Sequence, residues 1–490
     1  MKICFIIKED DGGFEMKNGD SKARLNIWLM IAAVGIFTFM STLDSSIINI
    51  ALPVISKDLS IPMNKATWTV AIYLIFISGL VTFLGGLGDQ IGKIRVFKVG
   101  TYVFTIGSLL AGINLGLWFL LFARIIQAVG AAMTMSNSFG IITGAAPLKM
   151  RARAMALNAM FVSLGTITGP GLGGLILEHF KWSYIFWVNV PVGIIAIIIG
   201  IKVLPQETKS VAKVTFDYLG IISLFLTISI FFLGVNIGQE QGFVEAIPMG
   251  AFVVSIALLA YFIVHELHTT KPLLDLTIFK SSLFTISLIA AFLIFTSNFF
   301  INVLLPFYFE NLRGISSGTA GIYMMIWPVT MLIGTPIAGY IADKFDQEYV
   351  TLLGLTGLVL SFFGWRGVNG EASLLFVGGL LVLGGIGMSF FQTPNNALIM
   401  TNAPKAKLGV AGAMNALARN LGMISGTSLV TTILYFAMSQ KIGYTITSYP
   451  AHDASVFVYG MHIAFTSATY IISFTWLLTL YRVWMRTRKQ

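Results

Sequence analysis

Two ionisable residues stand where such residues are rare. Asp44 interrupts the apolar run "IWLMIAAVGIFTFMSTLDSSIINIALPV", and Arg124 interrupts "LWFLLFARIIQAVGAAM". If both runs cross a bilayer core, Asp44 lies roughly eight residues from the outer end of its span, about 12 Å deep at ~1.5 Å per residue. Arg124 enters from the same side to a similar depth, about seven residues in. A lone carboxylate at that depth is costly, and intramembrane acids mark ion or proton pathways by default. The chemistry on offer is proton exchange. A proton binding at Asp44 releases Arg124, whose permanent charge otherwise competes for the acid. The plainer reading is a fixed structural pair.

The remaining ionisable residues offer less. Arg419 is a second buried cation, about eleven residues into its segment, equally suited to a transport site and to a contact with backbone carbonyls. Glu310, in "LPFYFENLRG", falls near the outer end of a segment and reads as interfacial rather than as a second proton site. His265, Glu266 and His268 have metal-like spacing but lack a third well-placed ligand, and they read as an interfacial helix cap. No metal site and no cofactor are expected, so the energy source would be a proton gradient. The chain has no G-x-x-x-x-G-K-[ST] phosphate loop for ATP-driven pumping. It has no Ser/His/Asp set on neighbouring segments and no filter-like loop, which speaks against enzyme and channel readings.

These residues need elements to carry them, and composition says which. Of 490 residues, 56% are hydrophobic and 11% charged, too little charge for the surface of a soluble chain of this length. Runs of about 20 apolar residues span a bilayer as helices, and the polarity alternation of a membrane barrel is missing. About 14 spans result, centred near residues 40, 78, 106, 131, 166, 193, 226, 256, 296, 329, 357, 386, 421 and 470. The third and fourth are joined by little more than "NLGLW", a tight hairpin; the stretch 281–309 is long for one span and short for two.

Charge gives the orientation. With the N-terminus inside, 23 of the 31 Lys and Arg fall on the cytoplasmic side, six fall outside, and Arg124 and Arg419 lie within spans. Both termini are therefore expected in the cytoplasm, and the formal charge of +10 reads as a topology signal rather than as nucleic-acid binding. The single cysteine, Cys4, excludes an internal disulfide framework. The N-terminus lacks the pattern of a signal peptide, and Met16 offers a second start.

The chain repeats itself. "RAMALNAMFVSLGTITG" and "VAGAMNALARNLGMISG" align without gaps, setting Asn158 on Asn415, Gly165 on Gly422 and Gly169 on Gly426. "GGLGD" (Gly85 to Asp89) matches "GYIAD" (Gly339 to Asp343), and Gly130 matches Gly387. Two parallel six-helix repeats follow, an arrangement that places a binding site between halves able to rock. Two spans at about 216–268 have no counterpart. The expected organisation is an N-terminal tail at 1–25, a six-helix bundle at 26–203, two inserted helices with linkers at 204–280, a second bundle at 281–483 and a tail at 484–490.

Several motifs carry a family resemblance. "GGLGDQIGKIR" resembles the loop between spans two and three of the major facilitator superfamily, G-x-L-x-D-x-x-G-R-[KR]. "LFARIIQAVGAA" is similar to its fourth-span pattern, with Arg124 in the expected place. "GTITGPGLGG" matches G-x-x-x-G-P-x-x-G-G, the fifth-span signature of its proton-coupled antiporters. "LDSSIINIALP" and "FWVNVPVG" look like the fourteen-span drug:proton antiporter branch. Gly86, Gln90, Ile94 and Ser183 depart from the patterns, three of them within the loop motif. The resemblance implies an all-α polytopic membrane protein with the major facilitator fold: two parallel six-helix bundles plus two inserted helices. It implies a proton-coupled multidrug exporter of the cell membrane working by alternating access, with small lipophilic or cationic compounds and protons as partners and a monomeric state. An exporter of one endogenous metabolite or lipid precursor is the rival reading, and a non-transporting sensor or assembly protein the next.

Roles follow residue by residue. Gly85, Asp89, Gly92, Lys93 and Arg95 would form a cytoplasmic gate, with Asp343 as a weaker echo in the second half. Gly165, Gly169 and Gly173 are spaced by four and make one stripe of a helix face, beside Pro170 and Gly174. Small residues let helices approach closely in lipid, and the stripe is expected to meet span ten. Tyr73, Phe299, Tyr308, Tyr323, Trp327, Phe390 and Phe391 are aromatic candidates for a cavity that holds flat molecules, together with Asp44 and Arg419.

Overall fold

In the computed structural model the apolar runs are helices throughout, because a backbone inside lipid must satisfy its own hydrogen bonds. The structure describes residues 21–145, 151–204, 217–269, 272–274, 276–404, 408–444, 446 and 454–487. The first half holds α1 (Ser21–Asp58), α2 (Met63–Ile91), α3 (Lys93–Ala111), α4 (Leu117–Ala145), α5 (Arg151–His179), α6 (Tyr184–Trp187) and α7 (Asn189–Val203). The inserted pair is α8 (Tyr218–Gln241) and α9 (Ala246–His268). The second half holds α10 (Ser282–Phe307), α11 (Ser317–Lys344), α12 (Gln347–Trp365), α13 (Leu374–Thr401), α14 (Leu408–Ile442) and α15 (Ala454–Thr487). Among the described residues 14 helical segments are long and apolar enough to cross a membrane, α6 and α7 together making one.

The ambiguous stretch 281–309 is a single span. Ser281 caps α10 by accepting from the Phe284 N–H, and a π turn, Tyr308–Leu312, carries the segment past Pro306. Helix α15 runs on to Thr487, beyond the tail boundary expected at 484, since "WLLTLYRVWMRT" contains no glycine or proline to stop it. Gly92, with φ of 109°, is the single residue between α2 and α3. That backbone conformation suits glycine alone.

Glycine contacts make the repeat visible. A Cβ on Gly130 would meet the backbone N of Phe104 and O of Gly100, while one on Gly387 would meet the N of Leu358 and O of Gly354. The α3–α4 contact thus recurs as α12–α13. In the same way Gly165 faces the O of Phe39 and N of Leu43, and Gly422 the O of Phe292 and N of Thr296. The α1–α5 contact recurs as α10–α14, with α1 mapping onto α10 by a shift of 253 (39 to 292, 43 to 296).

Contacts sort the chain into two compact units. One comprises Met1–Ser46, Leu80–Gly169 and Ser183–Phe216; the other comprises Ile47–Gly79, Pro170–Trp182 and Asp217–Gln490. Helices α1, α2 and α5 each contribute to both, and α5 divides at Pro170. The inserted pair belongs wholly to the second unit. There Gln239 of α8 donates to the Ser428 carbonyl at 3.0 Å and to the hydroxyls of Thr431 and Thr432 at 3.1 and 2.7 Å. Phe225 of α8 packs edge-on against Phe76 of α2.

Candidate functional site

The first compact unit gathers Asp44 and Arg124 into one buried network. Asp44 comes from α1, Arg124 and Gln127 from α4, Ser108 from α3 and Asn189 from the start of α7, and none has measurable exposure. Arg124 Nη1 donates to Asp44 Oδ2 at 2.6 Å and to Gln127 Oε1 at 2.6 Å. Gln127 Nε2 donates to Asp44 Oδ1 at 2.7 Å and to Ser108 Oγ at 2.9 Å. Asn189 Nδ2 reaches the same Oδ1 at 2.9 Å. The Arg124 guanidinium also lies over the Phe186 ring, 5.7 Å from its centre.

Local sequence sets this geometry. A Cβ on Gly107 would stand 2.6 Å from the backbone N of Gln127, so glycine there is what brings Ser108 beside Gln127. Phe37 meets Phe97 and Phe104 edge-on, at 5.6 and 5.4 Å between ring centres, and ties α1 to α3. Oδ1 of Asp44 accepts from two neutral amides and Oδ2 from Arg124, so a proton arriving at Oδ2 competes with the one charged donor. Arg124 is the donor whose charge the proton would replace. Gln127, Ser108 and Asn189 were not singled out from sequence. The position of Gln127, three residues after Arg124 and therefore on the same helix face, was a usable signal, as was Asn189 inside "FWVNVPVG".

In the second unit the sequence-selected residues are spread out. Tyr73 and Phe391 are buried packing residues, Phe299 and Trp327 nearly so, and Tyr323 and Phe390 half-buried. Trp327 lies over Gly384 of α13, and Tyr323 tilts against Phe309 at 5.5 Å. Tyr308 donates to the Asn369 carbonyl and accepts from Arg313 at 3.0 Å. Arg419 is half-buried on α14, 5.8 Å from the centre of the Phe295 ring on α10. Glu310 sits in the π turn with one carboxylate oxygen buried and without a partner.

A further buried pair was not anticipated. Arg482, one of the basic residues counted on the cytoplasmic side, is fully buried on α15. Its Nε donates to Glu348 Oε2 at 2.6 Å and its Nη1 to Ser287 Oγ at 2.6 Å and Asn395 Oδ1 at 3.1 Å. His265 pairs with Asp217 at 2.7 Å, and Glu266 accepts from the Leu274 N–H at 2.7 Å. These contacts hold the base of the inserted helices. Burial raises the Asp217 carboxyl, but the Gly220 N–H, His265 and Glu266 together outweigh it and hold the acid below its usual range.

The gate and stripe motifs place as follows. Gly85 packs near Ser136 of α4, the stem of Lys93 lies along Gly140, and Arg95 is exposed. The side chains of Asp89 and Asp343 lie outside the described residues. The 165/169/173 stripe needs a correction: Gly165 and Gly173 face α1, at Phe39–Leu43 and at Ile47 and Ile50. Span ten is met by the adjoining face, with Gly174 on the backbone of Ser317, Gly171 on Met325, and Gly321 on the Pro170 carbonyl. A spacing of four defines a face but not its partner, and a ten-residue stretch with five glycines supplies two.

The family model of the Major Facilitator Superfamily matches residues 34–427. The chain belongs to the major facilitator superfamily. Among its curated relatives, the riboflavin transporter RibZ of Clostridioides difficile (strain 630) is 34% identical over 412 residues, covering 84% of this chain and 89% of that protein. The multidrug export protein EmrB of Escherichia coli (strain K12) is 27% identical over 408 residues, covering 83% and 80%. Of solved structures, one from work on substrate recognition in proton-dependent oligopeptide transporters superposes with a TM-score of 0.68 at 14% identity, covering 94% of this chain and 99% of that one. A bacterial homologue of the human lysosomal transporter Spinster gives 0.63 at 15% identity, covering 95% and 98%. These two likenesses show the fold of a major facilitator transporter.

Proposed function

We propose that this transporter is a proton-coupled antiporter that exports small lipophilic organic compounds across the cell membrane by alternating access, as a monomer with both termini in the cytoplasm. The observation that carries the reading is the closed Asp44–Arg124–Gln127–Asn189 network within the membrane-spanning region. A proton reaching Asp44 Oδ2 removes the charge that holds Arg124 Nη1. Arg124 keeps its bond to Gln127 Oε1, while the tie between α1 and α4 loses its ionic component. Loss of the proton restores it. One protonation thus switches a helix contact, which is the two-state element that alternating access needs. The multidrug export relatives support lipophilic compounds as cargo. The riboflavin transporter relative favours a second reading, a carrier dedicated to one metabolite.

Everted membrane vesicles energised with a proton gradient test the coupling. Wild type should accumulate dye substrates, a protonophore should abolish that, and Asp44→Asn should lose the gradient-driven component. Gradient-driven uptake at the wild-type rate in Asp44→Asn would refute the mechanism. A panel of unrelated drugs and dyes separates the broad exporter from the dedicated carrier.

A further inference from the structure

Among the described residues, three arginines stand within membrane-length helices away from their ends or in the protein interior, Arg124 and Arg482 fully buried and Arg419 half-buried, and they are not alike. Arg124 is balanced by Asp44 and Arg482 by Glu348. Arg419 has no hydrogen-bond or ion-pair partner among the described residues; its Nε is buried and unpartnered, and its one contact of note is the face of Phe295. Phe295 is near the middle of α10, so the charge sits deep in the apolar region.

Architecture does not ask for a cation there. Gly422 sets the α10–α14 contact as Gly165 sets the α1–α5 contact. Three residues before each glycine stand Arg419 and Val162. The first half makes the same packing with valine. An unbalanced guanidinium is expensive in such a site, and it is maintained where a ligand supplies the countercharge.

The surroundings narrow the ligand. Cation–π contact engages the face of the guanidinium and leaves its in-plane N–H donors free for a carboxylate or a similar forked acceptor. One turn beyond Phe295 on the same face of α10, Asn298 Oδ1 is buried and without a donor, which suits a ligand N–H or O–H. Phe295 and Phe299 pack α10 against α14 through their Cβ atoms, at Gly422 and Gly426, which places the Phe295 ring beside Arg419.

We propose that Arg419, with Phe295 and Asn298, forms an anion-selective subsite that takes flat aromatic acids, so that the cargo of this exporter is anionic rather than cationic. The assignment rests on the export reading for its biological meaning, but the binding it describes needs no proton gradient. The same chemistry could come from a free organic acid or from an anionic lipid headgroup; the Phe295 ring beside the guanidinium favours the former.

Fluorescein and rhodamine 6G share a xanthene ring system and differ in charge, so they test the subsite directly. Their binding to the purified full-length protein is read by fluorescence polarisation in nanodiscs of phosphatidylcholine. Wild type should bind fluorescein, and Arg419→Gln should weaken it about ten-fold or more while leaving rhodamine 6G within about two-fold. Arg419→Lys should recover part of the loss, and thermal unfolding of both variants at the wild-type temperature confirms that the fold is intact. Equal fluorescein affinity in wild type and Arg419→Gln overturns the proposal, as does wild-type binding of rhodamine 6G alone. Discs containing phosphatidylglycerol form the second arm. If that lipid displaces fluorescein and removes the effect of Arg419→Gln, the anion held is a headgroup and the proposal falls. Binding that follows the expected pattern in a protein without proton-driven transport would sink the antiport mechanism and leave the subsite standing.

Discussion

The two halves share a backbone plan and differ in where they keep charge. The glycine contacts of α1–α5 and α3–α4 recur in α10–α14 and α12–α13 almost atom for atom. Carried across by the same shifts, Asp44 maps onto Ser297, Arg124 onto Leu381 and Gln127 onto Gly384. Among the described residues Ser297 bonds to the Leu293 carbonyl of its own helix, and Trp327 lies over Gly384. In the other direction Arg419 maps onto Val162. The fold therefore needs neither charge set for its packing. One half holds a neutralised acid–base network suited to proton exchange, and the other holds a bare cation suited to a ligand. The repeat supplies the scaffold, and the residues proposed for coupling and for binding lie where the copies differ.

Experiments can press on that contrast. The largest effect is expected from Arg124→Ala, which strands a buried carboxylate: a loss of about 3–5 kcal/mol of stability, read by thermal or denaturant unfolding, together with loss of gradient-driven efflux. Replacing both charges by their second-half counterparts, Asp44→Ser with Arg124→Leu, should restore most of that stability and none of the coupling. Poor folding of the double variant would show that the network is structural. Glu348→Ala should also destabilise by about 3–5 kcal/mol, yet leave efflux per folded molecule near wild type, since that pair lies outside both candidate sites. A changed proton dependence would instead join the two halves in one coupling network. Gly130→Ala and Gly387→Ala should cost similar amounts of stability, because each added methyl meets equivalent backbone atoms.

The smallest effect concerns pH. The Asp217 acid is held below its usual range in the folded protein, so its contribution to stability is present above the ordinary carboxylate value of about 4 and is lost as pH falls through the folded value. Unfolding temperature below pH 4 should fall less steeply in Asp217→Asn than in wild type.

Much of this was legible in sequence. Apolar runs fixed the spans because lipid leaves the backbone no choice but helix, and the mid-membrane depths of Asp44 and Arg124 brought them together. The third parties at Asp44 were harder to read, since Gln127 and Asn189 are unremarkable residue types whose role depends on helix rotation and on the close approach at Gly107. Arg482 was concealed by its neighbours: among "RVWMRTRK" it reads as one more cytoplasmic charge, and only its burial on α15 separates it. The glycine stripe gave a face, while its two partners depended on how α5 passes α1 and α11.

The order of residues along the chain has a consequence for synthesis. Membrane insertion of a segment with arginine at its centre costs up to about 2.5–3.5 kcal/mol in apparent free energy, less towards its ends, and α4 must enter carrying Arg124 about seven residues in. Helix α1 precedes it, so Asp44 is already in the bilayer when the α3–α4 hairpin arrives. The acid proposed to trade protons can first serve as a landing point, receiving the arginine before the second half of the transporter has left the ribosome.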